Sequence, residues 1–176
     1  MKIVSITGKQ KAECVTVADP AVADNYCLIR IQVAPMCTEV HDFRQGNRNN
    51  CLGHEAVGII EKTGPKSRLP VGTRVAVMPQ NGCGRCPLCL SGEHIHCTSP
   101  RDPLAVCGCT TGRATYAQFC IQQDWLLVPI PDDISMDHAA MSLCGLGPTF
   151  NACRLLRVTA DDTVIVAGLG PVGLGA

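Results

Sequence analysis

The sequence predicts a mainly β protein with short helices, in which an antiparallel β module is followed by the opening of an α/β unit. Three observations carry this. Short apolar or alternating runs with β-branched content recur between turn residues over most of the chain. Four cysteines close a loop rich in glycine and proline at 83–97. Near the C-terminus a buried-type strand pattern runs straight into a glycine string.

Composition narrows the class. At 176 residues the chain can build one domain with a real core and some length left over. Aromatics are 3%, so the core must rest on Val, Ile, Leu, Ala and Cys. Lys plus Arg and Asp plus Glu both number 15, and no long basic run occurs, which argues against nucleic acid or an anionic membrane as partner. The N-terminus does not read as a signal peptide, and no apolar run approaches the ~18 residues of a membrane span. A soluble, cytoplasmic protein is expected. In a reducing compartment, thirteen cysteines point to metal ligands and buried thiols rather than disulfides. Cys14, Cys27, Cys107, Cys120 and Cys153 sit among apolar neighbours and read as small hydrophobes; Cys51 and Cys109 have no assigned place.

Segments 2–7, 13–19 and 26–34 read as strands. Pro35 ends the third, and Met36-Cys37-Thr38-Glu39-Val40-His41-Asp42 then gives the first cluster of reactive groups. Gly53-His54-Glu55 opens another strand from Ala56, and Pro70 to Met78 gives a turn and a strand. Residues 98–112 read as irregular, 114–121 and 125–128 as strand. Ser135, with Asp137 in the first turn, caps a helix carrying Ala139, Ala140, Met141 and Leu143, which Gly145, Gly147 and Pro148 break. A second helix is expected over 149–157 with Phe150, Cys153 and Leu156 on one buried face. Asp132, Asp133, Asp161 and Asp162 lie in turn contexts and read as solvated. The span Asp161 to Ala167 reads as a buried strand, followed by Gly168-Leu-Gly170-Pro-Val-Gly173. This is G-x-G-x-x-G in the context where glycines let the chain turn tightly and approach a pyrophosphate. One strand and the start of a helix do not make a nucleotide-binding domain, so a truncated protein is expected.

The four-cysteine loop is the strongest motif. Cys83, Cys86, Cys89 and Cys97 have the spacing C-x2-C-x2-C-x7-C, which lets four thiolates close around one tetrahedral zinc. Ordinary buried cysteines or disulfides are the competing readings. A closed all-thiolate site is structural, so the chemistry must lie elsewhere. His94 and His96 flank this loop and read as surface or supporting residues. Cys37, His54 and Cys144 are far apart in sequence, and spacing alone leaves open whether they are core residues or a site. Each lies at a strand or helix end, and two cysteines, one histidine and an open fourth position is one form of catalytic zinc.

With these motifs in this order, the sequence resembles the zinc-containing alcohol dehydrogenases of the medium-chain dehydrogenase/reductase superfamily. The resemblance implies a GroES-like, partly open β-barrel catalytic domain over 1–150, including the structural zinc loop 83–97. Residues 151–176 would be a connecting helix, then the first strand and glycine-rich turn of a truncated NAD(P)-binding Rossmann domain. It implies a catalytic zinc on Cys37, His54 and Cys144, with Glu55 as the neighbouring carboxylate. Thr149 would lie against the nicotinamide, and Gly168, Gly170 and Gly173 would receive the cofactor. Two zincs per chain, NAD or NADP, a small alcohol or carbonyl substrate and a homodimeric or homotetrameric whole protein follow from the same resemblance. So does a reversible oxidation of an alcohol to an aldehyde or ketone, with zinc stabilising the alkoxide.

One departure affects the proton path. Family members commonly read Cys-x-Ser/Thr-Asp-x-His, whereas this chain reads Cys37-Thr38-Glu39-Val40-His41, one residue shorter. With a deletion, Thr38 is the relay hydroxyl, Glu39 supports the zinc-bound histidine and His41 leads to solvent. Without one, Glu39 occupies the relay position. Other readings are a lyase or reductase on the same fold, a degenerate family member, and a non-enzymatic zinc-stabilised binding module in which Cys37, His54 and Cys144 hold no metal.

Overall fold

The computed structural model describes residues 1–176. Two antiparallel sheets form its body. β1 (Lys2–Gly8) and β2 (Lys11–Thr16) make a hairpin. β3 (Tyr26–Val33), β4 (Ala56–Thr63), β5 (Arg74–Val77), β6 (Phe119–Gln123) and β7 (Leu127–Pro129) make a five-stranded sheet of order β6-β3-β4-β5-β7. Single bridges from Ile3 to Ala117 and Ile6 to Asn49 join the hairpin to the rest. The sheets do not close into a complete barrel. The fold is mainly β with short helices, as expected, and no helix is long and apolar enough to cross a membrane.

The larger sheet is buried on both faces, which is why β3 begins Tyr26-Cys27-Leu28-Ile29 without polar alternation. One face packs Cys27, Ile29, Ala56, Ile60, Val75, Val77, Cys120 and Leu127. On another side Val57 and Ala76 meet Ala139 and Ala140 of α4 (Met136–Met141). Tyr26, Leu28 and Ile121 pack with Cys107 of α3 (Pro103–Cys107). Ser135 caps α4 as expected, its side chain accepting the His138 N–H. Small cysteines replace aromatic bulk throughout, but Cys14 does not belong among them. It lies on the exposed strand β2, and Cys153 is only half-buried.

Several sequence expectations need correction. Residues 98–112 are not wholly irregular: Asp102 accepts the Leu104 N–H, Pro103 fits the first turn and Gly108 ends α3 in the left-handed region. The strand expected at 114–121 is shorter: Ala117 makes only a single bridge to Ile3, continuous pairing begins at Phe119, and the Thr115 and Tyr116 N–H groups bond to Leu52 O. Gly147 and Pro148 open rather than break a helix, α5 (Gly147–Leu156), since proline at the first turn forfeits no helical bond. Its Phe150, Cys153 and Leu156 face is not buried; Phe150 is 67% and Leu156 78% exposed because no element of the chain packs over them. Residues 163–169 form no strand, since no neighbouring strand offers a ladder, and Ile165 is 90% exposed. Asp132, Asp133, Asp161 and Asp162 are solvated, as read.

A buried carboxylate ties the sheet end to its loops. Asp124 is 4% exposed and accepts from Asn25 Nδ2 at 2.8 Å and from the Arg68 and Trp125 N–H groups at 2.9 Å each. Burial pushes its carboxyl up, but these donors outweigh burial and hold it below the usual carboxylate range. A depressed folded value contributes stability above the unfolded pKa of about 3.9, which is lost as pH falls through the folded value. Asp124→Ala is therefore expected to cost about 1–3 kcal/mol in urea unfolding at neutral pH. The difference from wild type should shrink as acid protonates the native carboxyl. A difference independent of pH would contradict this role.

Candidate metal centres and cleft

The four-cysteine loop is a small built unit. Cys86 caps the one-turn helix α2 (Pro87–Leu90), and a 3-10 turn covers His94–His96, so the segment is less purely loop than its glycines suggest. The four ligand atoms of Cys83, Cys86, Cys89 and Cys97 all lie within 4.8 Å of one another. The Cys86 and Cys97 sulfurs are 4.0 Å apart, close to the about 3.8 Å expected between thiolates at tetrahedral angles on one zinc. Backbone N–H groups point at the sulfurs: Cys83 N to Cys97 at 3.2 Å, Cys86 N to Cys83 and Cys89 N to Cys86 at 3.4 Å. The N–H groups of Cys89 and Thr98 pull the Cys86 thiol down to about 6, while burial pushes Cys89 up to about 11. These donors fit zinc.

Two buried glutamines hold the unit on the sheet, and neither stands out in the sequence. Gln122 Nε2 donates to Met78 O at 2.7 Å and Gln80 O at 2.9 Å, and Gln123 Nε2 to Gly82 O at 2.9 Å. Trp125 packs against Gly82 and Gly84, where a Cβ would stand 3.2–3.3 Å from its ring. His94 meets the same indole edge-on at 5.1 Å, and His96 is exposed.

The dispersed residues also converge. Ligand atoms of Cys37, His54, Glu55 and Cys144 lie within 4.8 Å of one another. Cys37 precedes α1 (Glu39–Gln45), His54 and Glu55 precede β4, and Cys144 lies between α4 and α5. Gly53 makes the approach possible: its φ is +82°, and a Cβ there would fall 2.3 Å from Thr115 Oγ1. Glu55 is 2% exposed, and its Oε2 accepts the Cys144 N–H at 3.0 Å, anchoring the third element.

Glu39 sets the histidine. Its Oε1 lies 2.7 Å from His54 Nδ1, and since a carboxylate only accepts, the network assigns the proton to Nδ1 and leaves Nε2 bare. Glu39 Oε2 accepts the Cys37 N–H at 3.1 Å. The Tyr116 hydroxyl shares its hydrogen between Pro35 O at 3.1 Å and Glu39 Oε2 at 3.2 Å. Burial pushes Glu39 up, but N–H donors of Glu39 and Cys37 and the His54 contact outweigh it, so the carboxyl stays below its usual range. Tyr116 was missed in the sequence; the only signal was a rare tyrosine, whose half-buried ring needs a partner for its hydroxyl.

Around bare His54 Nε2 stand Glu55 Oε1 at 3.3 Å and Cys144 Sγ at 3.4 Å. Glu55 Oε1 is buried and no donor satisfies it. Burial, then the Glu55 carboxylate, push the Cys144 thiol up to about 12. A thiol raised that far keeps its proton and can donate it to His54 Nε2 or to Glu55; a cation at the same point would displace that proton and be held by the same atoms. The donor set of two sulfurs, a bare imidazole nitrogen and an orphaned carboxylate oxygen therefore fits a metal of zinc's type.

A cleft of about 950 Å3 adjoins this cluster, lined by Cys37, Thr38, His41, Thr149 and the glycine turn. Thr38 occupies the N-cap position of α1 but makes no capping bond, which leaves its hydroxyl free of helix duty. His41 is exposed. Thr149 Oγ1 donates to Val172 O at 2.7 Å, tying α5 to the turn that leads into α6 (Pro171–Leu174). Gly168 has φ +102°, and a Cβ on Gly173 would lie 2.0 Å from Gly168 O.

The family described as alcohol dehydrogenase GroES-like domain matches residues 23–132. The chain belongs to this family, within the medium-chain dehydrogenase/reductase superfamily. It is 31% identical over 156 residues to L-idonate 5-dehydrogenase of Vitis vinifera, covering 83% of this chain and 41% of that protein. A zinc-type alcohol dehydrogenase-like protein of Escherichia coli (strain K12) is 28% identical over 193 residues, covering 97% of this chain and 52% of its own length. Among solved structures, a short chain alcohol dehydrogenase from E. coli CFT073, complexed with cofactor NADH, superposes with TM-score 0.80 at 24% identity. That match covers 99% of this chain and 51% of the other and establishes the shared fold. The chain thus spans about half the length of the relatives it matches.

Proposed function

We propose that this chain forms the catalytic part of an NAD(P)-dependent zinc alcohol dehydrogenase, interconverting a small alcohol with its aldehyde or ketone. The observation that carries this reading is the meeting of Cys37, His54, Glu55 and Cys144 at one point beside an open cleft, with His54 held by Glu39. Cys37, His54 and Cys144 would hold the catalytic zinc, and Cys83, Cys86, Cys89 and Cys97 the structural one. The zinc-type relative and the NADH-bound neighbour support the choice of metal and cofactor.

Bound there, zinc supplies Lewis-acid polarisation of a substrate oxygen, the effect that brings the pKa of zinc-held water to about 7. The chain's own groups do the rest. Glu39 fixes the His54 tautomer and ring plane. Because both Glu39 oxygens are engaged with His54, Cys37 N–H and Tyr116, Glu39 is poorly placed to move a proton. This favours the shortened register, in which the free Thr38 hydroxyl takes the substrate's proton and His41 passes it to solvent. Thr149 and the turn of Gly168, Gly170 and Gly173 border the same cleft and would receive the cofactor, which would supply the hydride-acceptor chemistry there. The exposed apolar side chains of α5 and residues 164–174 would be covered by the cofactor-binding half of a dimeric or tetrameric whole protein.

The test is steady-state oxidation of alcohols by the polypeptide that carries this chain with its cofactor-binding domain. NAD(P)-linked turnover is expected, and Thr38→Ala should lower kcat about 10²–10⁴-fold while retaining both zincs. Full metal loading with no turnover on any alcohol would reject the dehydrogenase reading. Turnover indifferent to Thr38→Ala would reject the proton path. The 176 residues alone are expected to give no turnover.

A further inference from the structure

Tyr116 grips both of the segments that deliver Cys37 and His54. It lies in the bend ahead of β6, and its backbone is fixed on two sides. The Tyr116 C=O accepts the Val4 N–H of β1 at 2.9 Å, and its N–H donates to Leu52 O at 3.0 Å. Leu52 stands two residues before His54. Between them Gly53 packs on the same tyrosine, since a Cβ there would fall 2.9 Å from Tyr116 N and 2.8 Å from ring carbon Cδ1. The loop that carries His54 therefore rests on Tyr116.

The hydroxyl reaches the other segment. Its hydrogen is shared between Pro35 O at 3.1 Å and Glu39 Oε2 at 3.2 Å, groups that stand two residues before and two residues after Cys37. The other contacts of Glu39 do different work. The Cys37 N–H belongs to Glu39's own loop, so it cannot fix that loop against its surroundings, and the His54 ring is the group being oriented. A glutamate side chain loses much rotamer freedom when it is held in one pose. The Tyr116 hydroxyl opposes that loss with a bond made from outside the loop. We infer that Tyr116 is a positioning residue of the second metal site, holding Glu39, and through it the His54 ring, at a fixed offset from Cys37. The inference rests on the reading above that Cys37, His54 and Cys144 bind zinc.

Tyr116→Phe removes one oxygen and keeps the ring against Gly53 and the backbone bonds to Leu52 and Val4. The test uses the polypeptide carrying this chain with its cofactor-binding domain, with zinc affinities measured by chelator competition. Tyr116→Phe is expected to weaken the second zinc about 3- to 10-fold, the worth of one hydrogen bond, and to leave the four-cysteine zinc unchanged. On a Glu39→Ala background the same substitution should change affinity by less than about twofold, because two substitutions that act through one contact do not add. Cobalt in place of zinc gives a second readout. The visible bands of the second site, isolated by difference against the Cys37→Ser, Cys144→Ser double variant, should shift with Tyr116→Phe and stay unmoved by it once Glu39 is alanine. Equal weakening in both backgrounds would place the effect at Pro35 or in general loop stability and overturn the inference. Affinity and bands indifferent to Tyr116→Phe would also overturn it, and in either case the zinc reading stands. A wild-type protein that holds no second zinc would overturn both.

Discussion

Replacing Cys86 and Cys89 together by serine is expected to remove one zinc per chain and melt the 83–97 unit. Metal binding at structural sites of this type supplies on the order of 10 kcal/mol of folding free energy, comparable with the about 5–15 kcal/mol that holds a whole domain. Gln123 and Trp125 tie only the Gly82–Gly84 end and His94 to the sheet. α2 is one turn long, and Leu90 and Ile95 are 75% and 74% exposed, so no hydrophobic core replaces the metal. Trp125 is the only tryptophan and packs against Gly82, Gly84 and His94, which makes its emission a direct reporter. A red shift and rapid proteolysis within 83–97 are expected, both reproduced by a strong chelator on wild type. Emission and protease resistance indistinguishable from wild type would mean that packing, not metal, holds the loop.

Glu39→Ala is the second large effect. The carboxylate touches His54, the Cys37 N–H and the Tyr116 hydroxyl, so one truncation releases two of the three proposed zinc ligands from their positions. Loss of a partner that orients a metal-bound histidine typically costs 10–100-fold in affinity, and about that weakening is expected in chelator competition for the second zinc. The structural zinc should be untouched. Glu39→Gln keeps an acceptor and should weaken binding less, whereas Thr38→Ala should slow turnover with no change in affinity. If Glu39→Ala left zinc affinity intact and Thr38→Ala lowered it, the roles assigned to these neighbours would be reversed.

The fold was legible where local pattern and tertiary environment agree. Strands at the N-terminus, the capped helix after Ser135 and the buried Cys27, Cys107 and Cys120 follow from periodicity, caps and side-chain size. Reading failed where a pattern needs a partner that the chain does not supply: the apolar face of α5 and the run at 164–167 have the composition of buried elements, but burial belongs to pairs of surfaces, not to single segments. The four-cysteine loop could be read from spacing because its ligands are close in sequence. Cys37, His54 and Cys144 could be joined only through resemblance. The role of Glu39 stayed undecided because it depends on which atoms its two oxygens meet. Tyr116, Gln122 and Gln123 were invisible for the same reason, being polar ends within strand-like patterns.

Zinc counted per chain, on wild type and on a Cys37→Ser, Cys144→Ser double variant, tests the proposed two-site architecture most directly. Two zincs falling to one, with the Trp125 environment unchanged, is the expected result. One zinc in both proteins would contradict it, leaving the four-cysteine loop as the sole metal site and the chain as a zinc-stabilised binding module or a degenerate member of its family.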